Sequence, residues 1–230
     1  MSILNTLSLE CNKQIKISFN GGDLSSDAGL LLIKKFADKM GFTKLINKKF
    51  KTNDKALRFH KDDENLMQMI YQIISAYFND DCADKLTLDP VFNAILDKER
   101  LASQPTLSGF FNRMDEDTLM QFDDIDRCLR DIVYAIKRPE HMLLDLDSTL
   151  LETYGSQEDS GYNFHYRTCG FYPLLCYDGL TGDLLKAELR DGKLHCSNGA
   201  DTFMESILQY YIERGVSAPK DDVVQQIPLS

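Results

Sequence analysis

No apolar run in this 230-residue chain approaches the roughly 20 residues that a membrane-spanning helix needs. Histidine is scarce, with four residues, and the six cysteines are scattered at positions 11, 82, 128, 169, 176 and 196. None forms a C-x-x-C pair, so the spacing of a zinc site is missing. His195-Cys196 and His165 with Cys169 come nearest to ligand pairs, and reduced thiols beside ordinary polar residues account for them. The opening stretch, MSILNTLSLECNKQIK, has no basic start followed by a long apolar core, so no secretion signal is read. There is no internal repeat and no low-complexity tract. These absences set the expectation of an intracellular, cytoplasmic protein with no membrane partner. Hydrophobic residues make up 43 % and charged residues 27 %, enough of both for a soluble core-forming chain of one large or two small domains.

The net charge of −10 argues at first against nucleic acid, but the charges are unevenly placed. From Lys34 to Lys61 there are nine lysines and one arginine against only Asp38 and Asp54. An acidic protein with one basic face still neutralises phosphates there. Lys44, Lys48, Lys49, Lys51, Lys55 and Arg58 are the candidates. Taken alone, the segment reads as a solvated helix-and-loop surface, with Phe42, Phe50 and Phe59 anchoring it to a core.

Residues 1–138 read as mostly helical. QIKISF (14–19) alternates like a short strand, and Gly21-Gly22 marks a turn. Ser25, Ser26 or Asp27 caps a helix through Phe36 that stops at Gly41. Leu66, Met69, Ile70, Ile73, Ile74 and Tyr77 recur at helical spacing after Asp62–Glu64, and the stripe reads as core. Asp89-Pro90 and Ser103-Gln104-Pro105 begin two short helices. A long helix runs from Asp115–Asp117 through Ile136, and Pro139 stops it. The period then changes. His141–Asp147, Phe171–Tyr177 and Leu184–Leu189 read as strands, the last two joined as a hairpin through two glycines. A helix starts at Ser197-Asn198-Gly199 or Asp201 and ends near Gly215, with His195 and Asn198 as its caps, and residues 215–230 have no clear period.

The most informative segment is LLDLDSTLLETYG (143–155). An apolar strand ending in two carboxylates one residue apart delivers acid groups from a buried element to its solvent end. Side chains alternate across a strand, so Leu143, Asp145 and Asp147 share one face and Met142, Leu144 and Leu146 the other. The two acids lie about 7 Å apart along the strand. That spacing suits metal-dependent cutting of nucleic acid, or phosphate transfer through an aspartyl nucleophile. The plain alternative is a strand end that turns to solvent at Ser148-Thr149.

LASQPTLSGFFNRM (101–114), then LLDLDSTLLETYG, then GYNFHYRTCGFYPLLCYDGLTGDLLKAELRDGKLHCSNGADTF (161–203) form an ordered set. It resembles the bacterial insertion-sequence transposases of the DDE group, specifically those whose core begins with an LDxD[ST]T-like strand. The resemblance runs from about residue 20 to about residue 214. It implies an α+β fold: a helical N-terminal region (1–138) that binds transposon-end DNA, then a partial RNase H-like domain (139–214) of strand, β-hairpin and helix. It further implies cut-and-paste transposition by an acidic triad holding two magnesium or manganese ions. One ion activates water or a DNA 3′-hydroxyl, and the other stabilises the leaving oxygen. The first triad acid falls on Asp147 or Asp145. Asp147 is favoured because Asp followed by Ser or Thr matches the first-acid pattern, and Asp145 is then a second ligand. Arg167 or His165 touches a DNA phosphate or braces its loop. Asp178 and Asp183 are turn residues. Expected partners are DNA and either a second copy or a full-length transposase, at the bacterial nucleoid.

The second Asp, in an R-x-D-S-G-F-like segment, and the Glu of the triad are not found in this sequence. The chain therefore reads as a truncated or frame-shifted copy of the N-terminal half, catalytically incomplete. Two rival readings stand beside this one. In a haloacid-dehalogenase-like phosphatase, Asp145 would be the nucleophile and Asp147 the general acid/base. Only 83 residues follow Asp147, and the downstream text reads as an antiparallel hairpin where that fold needs parallel strands. The other rival is a non-catalytic relic that binds DNA or pairs with an intact transposase.

Overall fold

The computed structural model describes residues 6–8, 16–18, 27–79, 81–155, 157–195 and 197–215. The expected Gly21-Gly22 turn, the Ser25 and Ser26 caps, Cys11, Cys196 and the last fifteen residues lie outside the described residues. The chain divides into two compact units, Met1–Ile132 and Val133–Ser230. Together they form an α+β protein, and no helix among the described residues is long and apolar enough to cross a membrane.

The first unit opens with a short antiparallel pair, β1 (Thr6–Ser8) and β2 (Lys16–Ser18). The helix α1 (Leu30–Lys39) follows a turn in which Leu30 N donates to Asp27 O at 3.0 Å. Gly41, at φ 72°, reverses the chain into α2 (Phe42–Lys49). That φ lies in the left-handed region, which glycine enters without Cβ strain. The helix α3 (Asp62–Ile74) comes next, with the Lys61 amide donating to Glu64 Oε2 at 3.0 Å across its first turn. Then come α4 (Cys82–Leu86), α5 (Pro90–Leu96), α6 (Gln104–Phe111) and α7 (Glu116–Ile136). Asp89 caps α5 as its sequence suggests, its carboxylate accepting from the amides of Val91 and Phe92 at 2.9 Å each.

The core of this unit is aromatic at its centre. Phe50, Tyr71, Phe92 and Phe110 are all fully buried, and Phe50 meets Phe110 at 5.9 Å and Phe122 at 5.3 Å. Two expectations about it fail. Ile73 and Ile74 are 53 % and 45 % exposed, because the buried face of α3 is carried by Leu66, Met67 and Tyr71 together with Asn65, Gln68 and Gln72. The rest of the stripe is core as expected, with Leu66 buried and Met69, Ile70 and Tyr77 packed against the buried cluster, and three polar residues share the inner face. Phe50 is indeed an anchor, but Phe59 stands at the surface, edge-on to His60 at 4.8 Å.

In the second unit, β3 (Leu144–Ser148), β7 (Leu174–Asp178) and β8 (Leu184–Glu188) form an antiparallel sheet in the order β3-β7-β8. One face is covered by α8 (Ala200–Glu213): Leu144, Leu146, Leu174, Cys176 and Leu185 pack with Phe203, Ile207, Tyr210 and Tyr211. A second small sheet, β4 (Leu151–Glu152), β6 (Thr168–Phe171) and β5 (Gly161–Asn163), was not foreseen. The expected strand 171–177 is split between the two sheets at Tyr172-Pro173, where proline has no amide to give a ladder. The cap of α8 also differs from expectation. Gly199, at φ 69°, occupies it, while His195 and Asn198 build the preceding turn, Asn198 N donating to His195 O at 3.0 Å.

Candidate active site

Strand β3 delivers its acids as the alternation requires. Asp145 and Asp147 are exposed, whereas Leu144 and Leu146 are half-buried on the opposite face and pack with the α8 core. Across the ladder, Asp145 is registered with Tyr177 and Asp147 with Leu175. Directly opposed residues share a face, so the two carboxylates rise beside Tyr177 and Leu175. The amide of Ser148 donates to Asp147 Oδ1 at 2.8 Å, which fixes the carboxylate at the strand end.

Behind that end lies Arg190, which is buried. Its Nη1 donates to Asn198 O at 2.7 Å, its Nε to Tyr172 O at 3.4 Å and its Nη2 to Ser148 Oγ at 3.3 Å. One guanidinium thus ties the end of β3 to the turn before α8. The sequence reading missed this residue. Its only signal was a charged residue directly after an apolar strand, in LRDG.

Asp178, expected as a turn residue, is the last residue of β7, in register with Leu144, and opens the turn that follows. It is buried, its Oδ1 accepting from Leu180 N at 3.0 Å. Arg167 closes the four-residue tip of the β5–β6 hairpin, with φ 59° and its amide on Asn163 O at 2.8 Å. Asn163 is buried and supports that tip: its Oδ1 accepts from the amides of His165 and Tyr166, and its Nδ2 donates to Gly192 O at 2.9 Å. The side chains of Phe164, His165, Tyr166 and Arg167 are left exposed.

The basic candidates of the first unit sort into two groups. Lys44 and Lys48, one turn apart on α2, are exposed, as are Lys51 and Lys55 in the segment that follows. Lys49 faces Asp124 at 3.8 Å, and Arg58 is engaged by Asp54, to which its Nε donates at 3.0 Å. That engagement, together with the Ala56 amide, holds the Asp54 carboxyl below its ordinary value, the Ala56 bond contributing most. Gln121 pins the segment from α7, its amide bonded both ways to the backbone of Lys51.

Two exposed carboxylates are hard oxygen donors that suit a divalent cation keeping several waters. Among the described residues no group of three or more His, Cys, Asp or Glu is arranged to hold a metal. Asp145 and Asp147 therefore fit part of such a site.

An antiparallel three-stranded sheet with acids on its first strand and a helix on its far face is consistent with the opening of an RNase H-like domain. The family model described as transposase DDE domain group 1 matches residues 7–218, and the chain belongs to that family. No curated protein and no solved structure matches the chain.

Proposed function

We propose that this chain supplies the DNA-binding region and the first acids of a transposase's cutting centre, and that alone it does not cut DNA. The observation that carries this reading is the placement of Asp145 and Asp147 on one exposed face of β3, with the other face packed under α8. Asp147 is the first triad acid and Asp145 its companion. Both would hold magnesium or manganese, which when bound supplies Lewis-acid activation of an attacking oxygen and stabilises a leaving one. The residues of the chain do the rest: Ser148 orients the Asp147 carboxylate, and Arg190 keeps the strand end in place.

Residues 1–138 hold the transposon end through Lys44, Lys48, Lys49, Lys51, Lys55 and Arg58, and Arg167 adds a phosphate contact from residues 139–214. The partner is duplex DNA, with a second copy or an intact transposase completing the assembly at the nucleoid. The antiparallel pairing of β3, β7 and β8 supports this reading over a haloacid-dehalogenase-like phosphatase, whose strands run parallel.

The test is a mobility shift on duplex DNA at two salt concentrations, run beside a nicking assay with magnesium and with manganese. Binding that falls steeply with salt, without nicking, is the expected result. Metal-dependent turnover by the purified chain would overturn the incompleteness. Hydrolysis of a generic phosphate ester, abolished by Asp145→Asn and unaccompanied by DNA binding, would overturn the whole reading.

A further inference from the structure

The tip of the β5–β6 hairpin holds its side chains in water, and Phe164 is 84 % exposed. Single exposed rings are ordinary on a protein surface, but here four sit in two ordered pairs. Phe164 meets Tyr162, also exposed, edge to face at 5.2 Å, and His165 meets Tyr166 in the same way at 4.8 Å. The tip is firmly held. The buried Asn163 amide accepts from the amides of His165 and Tyr166 and donates to Gly192 O, and Tyr166 leans on Tyr172 with ring centroids 6.1 Å apart. A buried amide spent on fixing rings that stay in water places those rings for something outside the chain.

Charge narrows the partner. The chain carries a net −10, yet from Ser160 to Tyr177 it has no Asp or Glu, and its basic groups there are His165 and Arg167. Flat rings beside an exposed guanidinium, with no acid in the segment, suit a partner that is both anionic and flat-faced. Unpaired nucleobases on their phosphate backbone are such a partner, since they stack on aromatic faces and guanidinium planes. A paired duplex keeps those faces inside. The hairpin is also tethered to the acid strand: Tyr172 O accepts from Arg190 Nε at 3.4 Å, and Nη2 of the same guanidinium donates to Ser148 Oγ at 3.3 Å.

We propose that the β5–β6 tip binds unpaired bases of a DNA strand, with Phe164 as the stacking platform and Arg167 on a neighbouring phosphate. Stacking on bases rests on the rings and their charge. The choice of DNA, and its approach to Asp147, rests on the DNA-cutting reading above.

The chain has no tryptophan, so Phe164→Trp in the full chain puts a single indole fluorophore at the tip. This variant is titrated with oligothymidine of about ten nucleotides, with an abasic strand of the same length and charge, and with phosphatidylserine–phosphatidylcholine vesicles. Quenching by the strand that has bases, and not by the abasic one, is expected. Phe164→Ala should weaken oligothymidine binding by about fivefold or more and leave the affinity for a paired duplex unchanged. Phe164 is exposed, so neither substitution disturbs the core. Quenching absent or equal for the two strands, or oligothymidine affinity unaltered by Phe164→Ala, overturns the proposal. A response to vesicles alone overturns it as well and assigns the tip to a lipid surface. Duplex binding that survives such a failure leaves the DNA-binding reading standing. Duplex binding lost beside intact, base-dependent quenching has the converse meaning.

Discussion

Arg190 Nη2 donates to Ser148 Oγ at 3.3 Å, and the amide of Ser148 in turn holds the Asp147 carboxylate. A buried guanidinium therefore positions the strand end that carries the acids. Arg190→Lys should destabilise the second unit by about 2 kcal/mol, because an ammonium cannot reproduce the fork that reaches Asn198, Tyr172 and Ser148 together. Thermal unfolding measures this. A midpoint equal to that of the parent chain would show that the fork is not needed.

Gly170 and Gly192 mark where the small sheet closes on the strand ends. A Cβ on Gly170 would lie 2.3 Å from Leu151 O, and one on Gly192 would lie 2.3 Å from Gly170 O. Both obstacles are backbone, so neither can rotate away. Gly170→Ala and Gly192→Ala should each cost more than about 2 kcal/mol. Gly182→Ala is the contrast: it meets nothing within 4 Å, and its φ of 79° carries only backbone strain. Chemical denaturation of the three variants should rank them in that order.

These glycines also show what the sequence makes legible. Long periodic elements were readable, because α7 and the β3 alternation repeat one signal over many residues. The acid pair was readable for the same reason. The β4-β6-β5 sheet was not, because its strands are two to four residues long and their period cannot show. The only trace was glycine inside an extended stretch, which marks close backbone approach. Polar residues that turn inward were equally invisible. Asn163 and Arg190 are buried against partners from distant parts of their unit.

The basic surface predicts unequal effects from its members. Lys44 and Lys48 are exposed, while Arg58 is engaged by Asp54. Replacing both lysines with alanine should lower the slope of log K against log salt by about 2, and Arg58→Ala by less than 1. Titrations of duplex DNA across salt concentrations read this directly. Equal slopes for all variants would remove the segment from the interface.

Acid should loosen the segment that follows α2. The Ala56 amide and then Arg58 hold Asp54 below its ordinary 3.8, and the Thr118 hydroxyl and amide do the same for Asp115, helped by Asn53. A carboxyl with a lower pKa in the folded state binds fewer protons there than in the unfolded chain. Its contribution is complete above 3.8 and is lost as the pH falls through the depressed folded value. Protection of residues 51–61 against hydrogen exchange, taken relative to the intrinsic rate at each pH, should therefore be unchanged from neutral pH down to about pH 5 and fall below about pH 4. Protection that already falls near neutral pH would contradict this assignment.

The acid pair on β3 carries the functional account, and manganese binding tests it most directly. Titration of the chain with Mn²⁺, followed by paramagnetic broadening of its amide resonances, should broaden residues 145–148 and their partners 174–177 first. Asp147→Asn should weaken that effect by about tenfold or more, and Asp145→Asn should weaken it too, with the fold unchanged because both side chains are exposed. Broadening centred elsewhere, or unaltered by either substitution, would contradict the account.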